Sequence, residues 1–120
     1  MTAKKEDSKP KSINVMGVNY ELEYVDNMID ADIDRRHELL GQIDYITRTI
    51  RLYTKNEKKT KGDGYTFHLV MHEMLHAIAV NAGITPLMGD DGERYIDIMG
   101  TVLADSLVRN GMVSTKWENL

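Results

Sequence analysis

Apolar residues recur at every second position in the first half of this chain and at every third or fourth in the second half. Val18, Tyr20, Leu22 and Tyr24 alternate with Asn19, Glu21 and Glu23, the period of a strand with one buried face. Gly17, after Met16, lets the chain reverse from Ile13–Val15 into that strand, so a hairpin is expected. "GQIDYITRTIRLY" reads as a second strand pair. Ile43 and Tyr45 belong to one strand, Ile50 and Leu52 to the other, and Ile46 to Arg48 lie near the turn. Between the pairs, "DNMIDADIDRRHE" is dense in charge and poorly periodic, which predicts a loop with one helical turn.

The spacing then turns helical. One helix is expected from Thr66 to Ala82, ended by Gly83, because glycine enters the left-handed region without steric cost. A second is expected from Asp91 to Arg109, stopped by Asn110-Gly111. "ITPLMGDDG" connects them, and "TKNEKKTKGDG" before the first is a solvated loop rather than a functional basic patch. Residues 1–12, "MTAKKEDSKPKS", are expected to be a disordered arm, and 13–120 one domain whose tail docks through Trp117.

Composition narrows the options. A chain of 120 residues holds one modest core. A net charge of -4 argues against a nucleic-acid partner, which calls for a basic surplus. No apolar run nears the ~18 residues of a membrane span. The charged N-terminus is unlike a secretory signal, so a cytoplasmic location is expected. Without cysteine, neither a disulfide framework nor a thiolate metal site can form, and any metal ligands must be His, Asp or Glu.

That restriction gives weight to "VMHEMLHAIAV", residues 70–80. With about 100° per residue and His72 at zero, His76 falls near 40° and Glu73 near 100°. Val70, Met71, Met74, Leu75, Ala77 and Ile78 fill the opposite side. A mostly buried helix thus presents one narrow ionisable window. Burying two imidazoles and a carboxylate without partners costs several kcal/mol on the order of, and a divalent cation removes that conflict. Imidazoles one turn apart can share one Zn²⁺, while the intervening Glu73 is offset and reaches a metal-bound water instead. The plainer alternative is two solvent-facing histidines beside a surface glutamate.

A catalytic zinc takes three protein ligands and keeps one open position. The extended motif with a third histidine is excluded, since Ala79 and Ala82 stand where its glycine and last histidine would be. His37 and His68 both precede the motif. Among the carboxylates, Glu93 is the best candidate, with Asp90 and Asp91 as rivals on the connection. Glu93 and Asp97 share a helical face one turn apart, and Gly100 continues it where two helices could approach closely. Asp97 could then accept the second ring N–H of a metal-binding histidine. The competing reading of Glu93 is a capping box with Asp90, and that of Asp97 an ordinary exposed aspartate.

"HEMLH" followed by "ERYID" resembles the Glu-zincin metallopeptidases, in which Glu-x-x-x-Asp on the next helix follows His-Glu-x-x-His. The short chain, with strands before the motif helix and one helix after it, is similar to the ImmA/IrrE family, many compact members of which are encoded by phages and mobile elements. The resemblance implies an α+β fold, a minimal zincin-like domain with a small antiparallel sheet packed on the two helices. It implies zinc held by His72, His76 and Glu93, with Glu73 as general base and Asp97 supporting a ligand. It further implies an edge strand beside the cleft, placed at Thr49–Tyr53, that pairs with an extended substrate. A chain this short has no room for the helix-turn-helix or sensor domain of the family's regulators. The larger Glu-zincins also supply an oxyanion donor from a further domain. Tyr95, Tyr65 and His68 are the local candidates for that role, although Tyr95 lies about 200° around the helix from Glu93.

The expected function is therefore that of a zinc-dependent endopeptidase acting on an intracellular protein or peptide. The alternative is a non-catalytic, metal-stabilised protein-binding module, for example in phage–host interaction. A third possibility is a structural protein with accidental motif geometry.

Overall fold

The computed structural model describes residues 9–33, 39–54 and 65–113. The expected arm before Lys9, most of the basic loop after Thr54 and the tail with Trp117 lie outside the described residues. Four strands, β1 (Ser12–Val15), β2 (Val18–Val25), β3 (Gly41–Asp44) and β4 (Thr49–Tyr53), form one sheet. The helices are α1 (Met28–Ala31), α2 (Tyr65–Asn81), α3 (Thr85–Met88) and α4 (Gly92–Arg109), with a 3-10 turn over Gly89–Asp91 before the last. The fold is α+β, as the sequence predicts.

Both hairpins form. β1 and β2 pair antiparallel, joined by Met16 and Gly17, both with positive φ (54° and 87°), and the Asn14 side chain accepts the Gly17 N–H. Pairing starts slightly earlier than expected, since the Lys11 carbonyl accepts the Leu22 N–H and the Pro10 carbonyl accepts the Tyr24 hydroxyl. β3 and β4 pair antiparallel around Tyr45–Arg48, a turn held by Asp44 Oδ1, which accepts the N–H groups of Ile46 and Thr47. Tyr45 thus sits in the turn rather than in a strand.

The sheet differs from the expected arrangement in how the hairpins join. Its order is β1-β2-β4-β3, and β2 pairs with β4 in parallel, so the sheet is mixed. Thr49–Tyr53, expected at the edge, is an interior strand, and the edge beside the site is Gly41–Asp44. The physical reason lies in what each strand can bury. Ile50 and Leu52 are fully enclosed, whereas β3 carries only Ile43 as a strongly apolar side chain and has no fully buried residue. The strand with the larger apolar load takes the position flanked on both sides.

Alternation holds where it was read. Tyr20 and Leu22 are buried while Asn19, Glu21 and Glu23 are exposed. This face meets Phe67, Val70, Met71 and Ala77 of α2 in a core that also takes in Ala104 of α4. Asn81, at the end of α2, accepts the Tyr20 hydroxyl and donates to the Val15 carbonyl, anchoring the helix to the first hairpin. Beyond it, Gly83 N–H reaches the Val80 carbonyl and Ile84 N–H the Ala79 carbonyl, with Gly83 at φ 73°. This paired closure satisfies carbonyls that a helix end leaves open. The same closure recurs at Gly111, after α4.

Candidate metal centre

α2 lies between the sheet and α4, and that position sorts its polar side chains. Phe67, Val70 and Ala77 face the sheet, and Leu75 meets α4 at Gly100. A Cβ on Gly100 would stand 3.4 Å from His72 Cα. The glycine therefore allows the close helix approach expected of it, at the level of the first histidine.

That approach brings Glu93, in the first turn of α4, over the histidines. Glu93 Oε1 is 3.0 Å from His72 Nε2, and Glu93 Oε2 is 2.8 Å from His76 Nε2. The two Nε2 atoms are 3.2 Å apart. Three ligand atoms in tetrahedral zinc coordination lie about 3.3 Å from one another, given metal–ligand lengths of about 2 Å. The separation of the two Nε2 atoms is close to that spacing, one ligand atom from each residue lies within 4.8 Å of the others, and His72, His76 and Glu93 could hold a metal ion. Each Nε2 faces its own carboxylate oxygen, and the three side chains converge on one focus where a cation would find two imidazoles and a carboxylate as ligands. α4 begins at Gly92 with Asp91 at its cap and no side-chain bond there, so the capping box with Asp90 does not form and Glu93 is used for the cluster instead. Asp90 and Asp91 are exposed on the 3-10 turn, outside the cluster.

Asp97 lies on the far side of the first histidine, with Oδ1 3.6 Å from His72 Nδ1. It faces the second ring nitrogen, as the one-turn spacing from Glu93 requires, at a distance beyond a direct hydrogen bond.

Glu73 points elsewhere. Its side chain is buried between α2 and the edge strand, where a Cβ on Gly41 would meet Glu73 Oε2 at 3.0 Å and its Cδ at 3.3 Å. Burial first, and the negative charge of Glu93 second, push the Glu73 carboxyl up to about 7. A carboxyl poised near neutrality, beside a cluster that could hold a metal ion, is suited to accept and return a proton. His76 is lowered from its ordinary value, chiefly by burial, so its imidazole is held in the neutral form that ligates a metal.

Two hollows of about 410 and about 440 Å³ flank the cluster and share Leu39, Gly41, His72, Glu73 and Glu93. One extends to His68, Asp97 and Thr101; the other runs along Gln42, Ile43 and Tyr45. The cleft therefore follows the edge strand across the His72, His76 and Glu93 cluster.

Of the three oxyanion candidates, Tyr95 is half exposed on the outer side of α4, Tyr65 begins α2, and only His68 lines the cleft. The sequence reading missed Tyr45 and Gly41. Tyr45 packs edge-to-face on Tyr20, 6.4 Å between ring centres, and lines the cleft near His76. Burial, with the charges of Tyr20 and Glu73 adding to it, pushes its hydroxyl up to about 12 and keeps it protonated. Only the strand register could have revealed either residue, because nothing in "GQIDY" marks the wall of a cleft.

No helix among the described residues is long and apolar enough to cross a membrane. No family model matches the sequence, and neither a curated protein nor a solved structure matches it.

Proposed function

We propose that this chain is a zinc-dependent endopeptidase of the kind its two motifs resemble, with an extended peptide as substrate. The observation that carries this reading is a buried, near-neutral glutamate one residue from a ligand of a compact His-His-Glu cluster. Two imidazoles and one carboxylate form the donor set of catalytic zinc sites that leave a fourth position open. Bound there, zinc would act as a Lewis acid on a carbonyl and lower the pKa of water.

The remaining roles belong to the chain's own residues. An extended peptide would lie along β3, whose outer side pairs with no other strand among the described residues. The peptide carbonyl would then cross the cleft above His72 and His76. Glu73 would take a proton from the attacking water and return it to the leaving amine, a shuttle that works best with a carboxyl pKa near the working pH. Tyr45, protonated at neutral pH on the same wall, would donate a hydrogen bond to the developing oxyanion. Asp97 would orient the His72 ring.

The test uses purified full-length protein and a mixture of extended peptides. Metal analysis should find about one zinc per chain, cleavage should stop on chelation, and Glu73→Gln should keep the metal and lose turnover. An active Glu73→Gln protein removes the base from the scheme, and protein without stoichiometric metal removes the centre. Peptide bound by the metal-loaded protein but left intact would favour the second reading, a metal-stabilised binding module using the same strand edge.

A further inference from the structure

α4 has three sides, and only two have a partner among the described residues. Ile96, Gly100 and Ala104 are buried against α2 and the core. Glu93 and Asp97 reach the histidines. The third side carries Tyr95, Ile98, Met99, Val102 and Leu103, exposed by 49%, 52%, 48%, 59% and 39%. Their spacing of i, i+3, i+4, i+7 and i+8 is that of a helix face made for burial, and they fill an arc of about 140°. A helix serving only to hold a ligand over α2 would need polar residues there.

We propose that this face is the contact between two copies of the chain, with the α4 helices crossing antiparallel on a two-fold axis near Met99. Three features favour a second copy over an unrelated partner. First, the apolar run is centred on Met99, so that Tyr95 of each copy lies level with Leu103 of the other and Met99 with itself. This self-matching is what an isologous contact needs. Second, the charges beyond the run are complementary under the same axis. Exposed Arg109 at the end of one α4, which pairs with Asp105 of its own helix through Nε, brings its remaining guanidinium donors beside the acidic Asp90-Asp91 turn at the start of the other. Antiparallel helix dipoles add to this attraction. Third, the area fits a modest dimer. The five side chains offer roughly 500 Å² per copy, so a pair buries on the order of 1,000 Å², the lower bound for a specific interface. The contact would also clamp the helix that presents Glu93, while leaving the cleft on its other side open.

The absence of cysteine allows a clean test on the full chain, with no dependence on metal or catalysis. Sedimentation across the micromolar range should show reversible dimerisation. Val102→Glu should weaken it by at least about tenfold, since it buries a charge in an apolar contact, and Ile46→Glu, on the exposed β3–β4 turn, should leave it unchanged. Under mild oxidation Met99→Cys should cross-link to a disulfide dimer and Ile46→Cys should not. Melting curves would show that the variants are folded. A monomer at all concentrations overturns the proposal. So does a dimer indifferent to Val102→Glu, or cross-linking as efficient from position 46 as from position 99.

Discussion

The two long helices are similar in length and opposite in what they leave unsatisfied. α2 is enclosed by the sheet and α4, yet carries two histidines and a glutamate in its middle. α4 is covered along a narrow seam of Ile96, Gly100 and Ala104, yet keeps six large apolar side chains facing out, five of them on one face. A polar group inside and an apolar group outside are both unfavourable unless something else meets them. For α2 the answer is within the chain, because Glu93 closes a cluster that could hold a metal ion. For α4 no such partner stands among the described residues, and a second copy is the one proposed. The difference teaches that residues in the wrong environment are the informative ones, and that burial decides which environment is wrong.

Breaking the bridge between the helices should have the largest effect. If the metal-loaded protein is held at a thousand times the dissociation constant, binding stabilises it by about 4.1 kcal/mol. His76→Ala should abolish that stabilisation, seen as a melting temperature that no longer responds to added zinc or to chelator. An unchanged metal response would disconnect the two helices.

Next comes the cost of burying Glu73. Its carboxyl is raised from 4.5 to about 7 in the folded, metal-free protein. Between those values the folded state keeps a proton that the unfolded state has lost. Stability therefore falls as pH rises through this window, and the penalty is complete above pH 7. At about 1.4 kcal/mol per unit it reaches roughly 3 kcal/mol. Glu73→Gln should remove the slope, measured as the difference in unfolding free energy between the two metal-free proteins from pH 4.5 to 7.5. His76 is lowered, so its contribution runs the other way, gaining stability as pH rises through its ordinary 6.5, but it is common to both proteins and cancels to first order. Parallel pH profiles would mean that Glu73 is hydrated.

The helix seam is a smaller target. Gly100→Val should cost about 2 kcal/mol in denaturant unfolding, because a Cβ already stands 3.4 Å from the His72 backbone and its branches have nowhere to go. Metal affinity should fall with it, since Glu93 moves away with the helix. A variant as stable as the parent would show that the helices slide freely.

The smallest change in stability is expected at the edge strand. Gly41→Ala puts a methyl 3.0 Å from Glu73 Oε2 and 3.4 Å from the Arg51 carbonyl. The loss should stay within about 1 kcal/mol, because removing glycine also restricts the unfolded chain. Turnover, by contrast, should drop with metal content unchanged, as Glu73 is displaced from its place beside β3. Full activity in this variant would free the glutamate from that wall.

Sequence alone determined the local and periodic features. Two hairpins, two helices, the glycine closures at Gly83 and Gly111, and the shared window of His72, Glu73 and His76 all follow from spacing within a few residues. Glu93 was legible as a ligand candidate because i, i+4 spacing with Asp97 and i+7 spacing with Gly100 align it with one face of the neighbouring helix. Whether Glu93 would cap its helix or reach the histidines was not legible, because it depends on where α4 lies relative to α2, and the 3.4 Å approach at Gly100 put it on the histidines. Nor could periodicity show which strand forms the sheet edge, since alternation gives a face but no neighbour. The parallel pairing of β2 with β4 put Ile50 and Leu52 inside and left Gly41–Asp44 at the rim. Through that one long-range choice, Gly41 and Tyr45 became the wall of the cleft and Glu73 became a buried acid. Such choices are made by the total apolar surface enclosed, a property of the assembled elements that no short stretch of sequence contains.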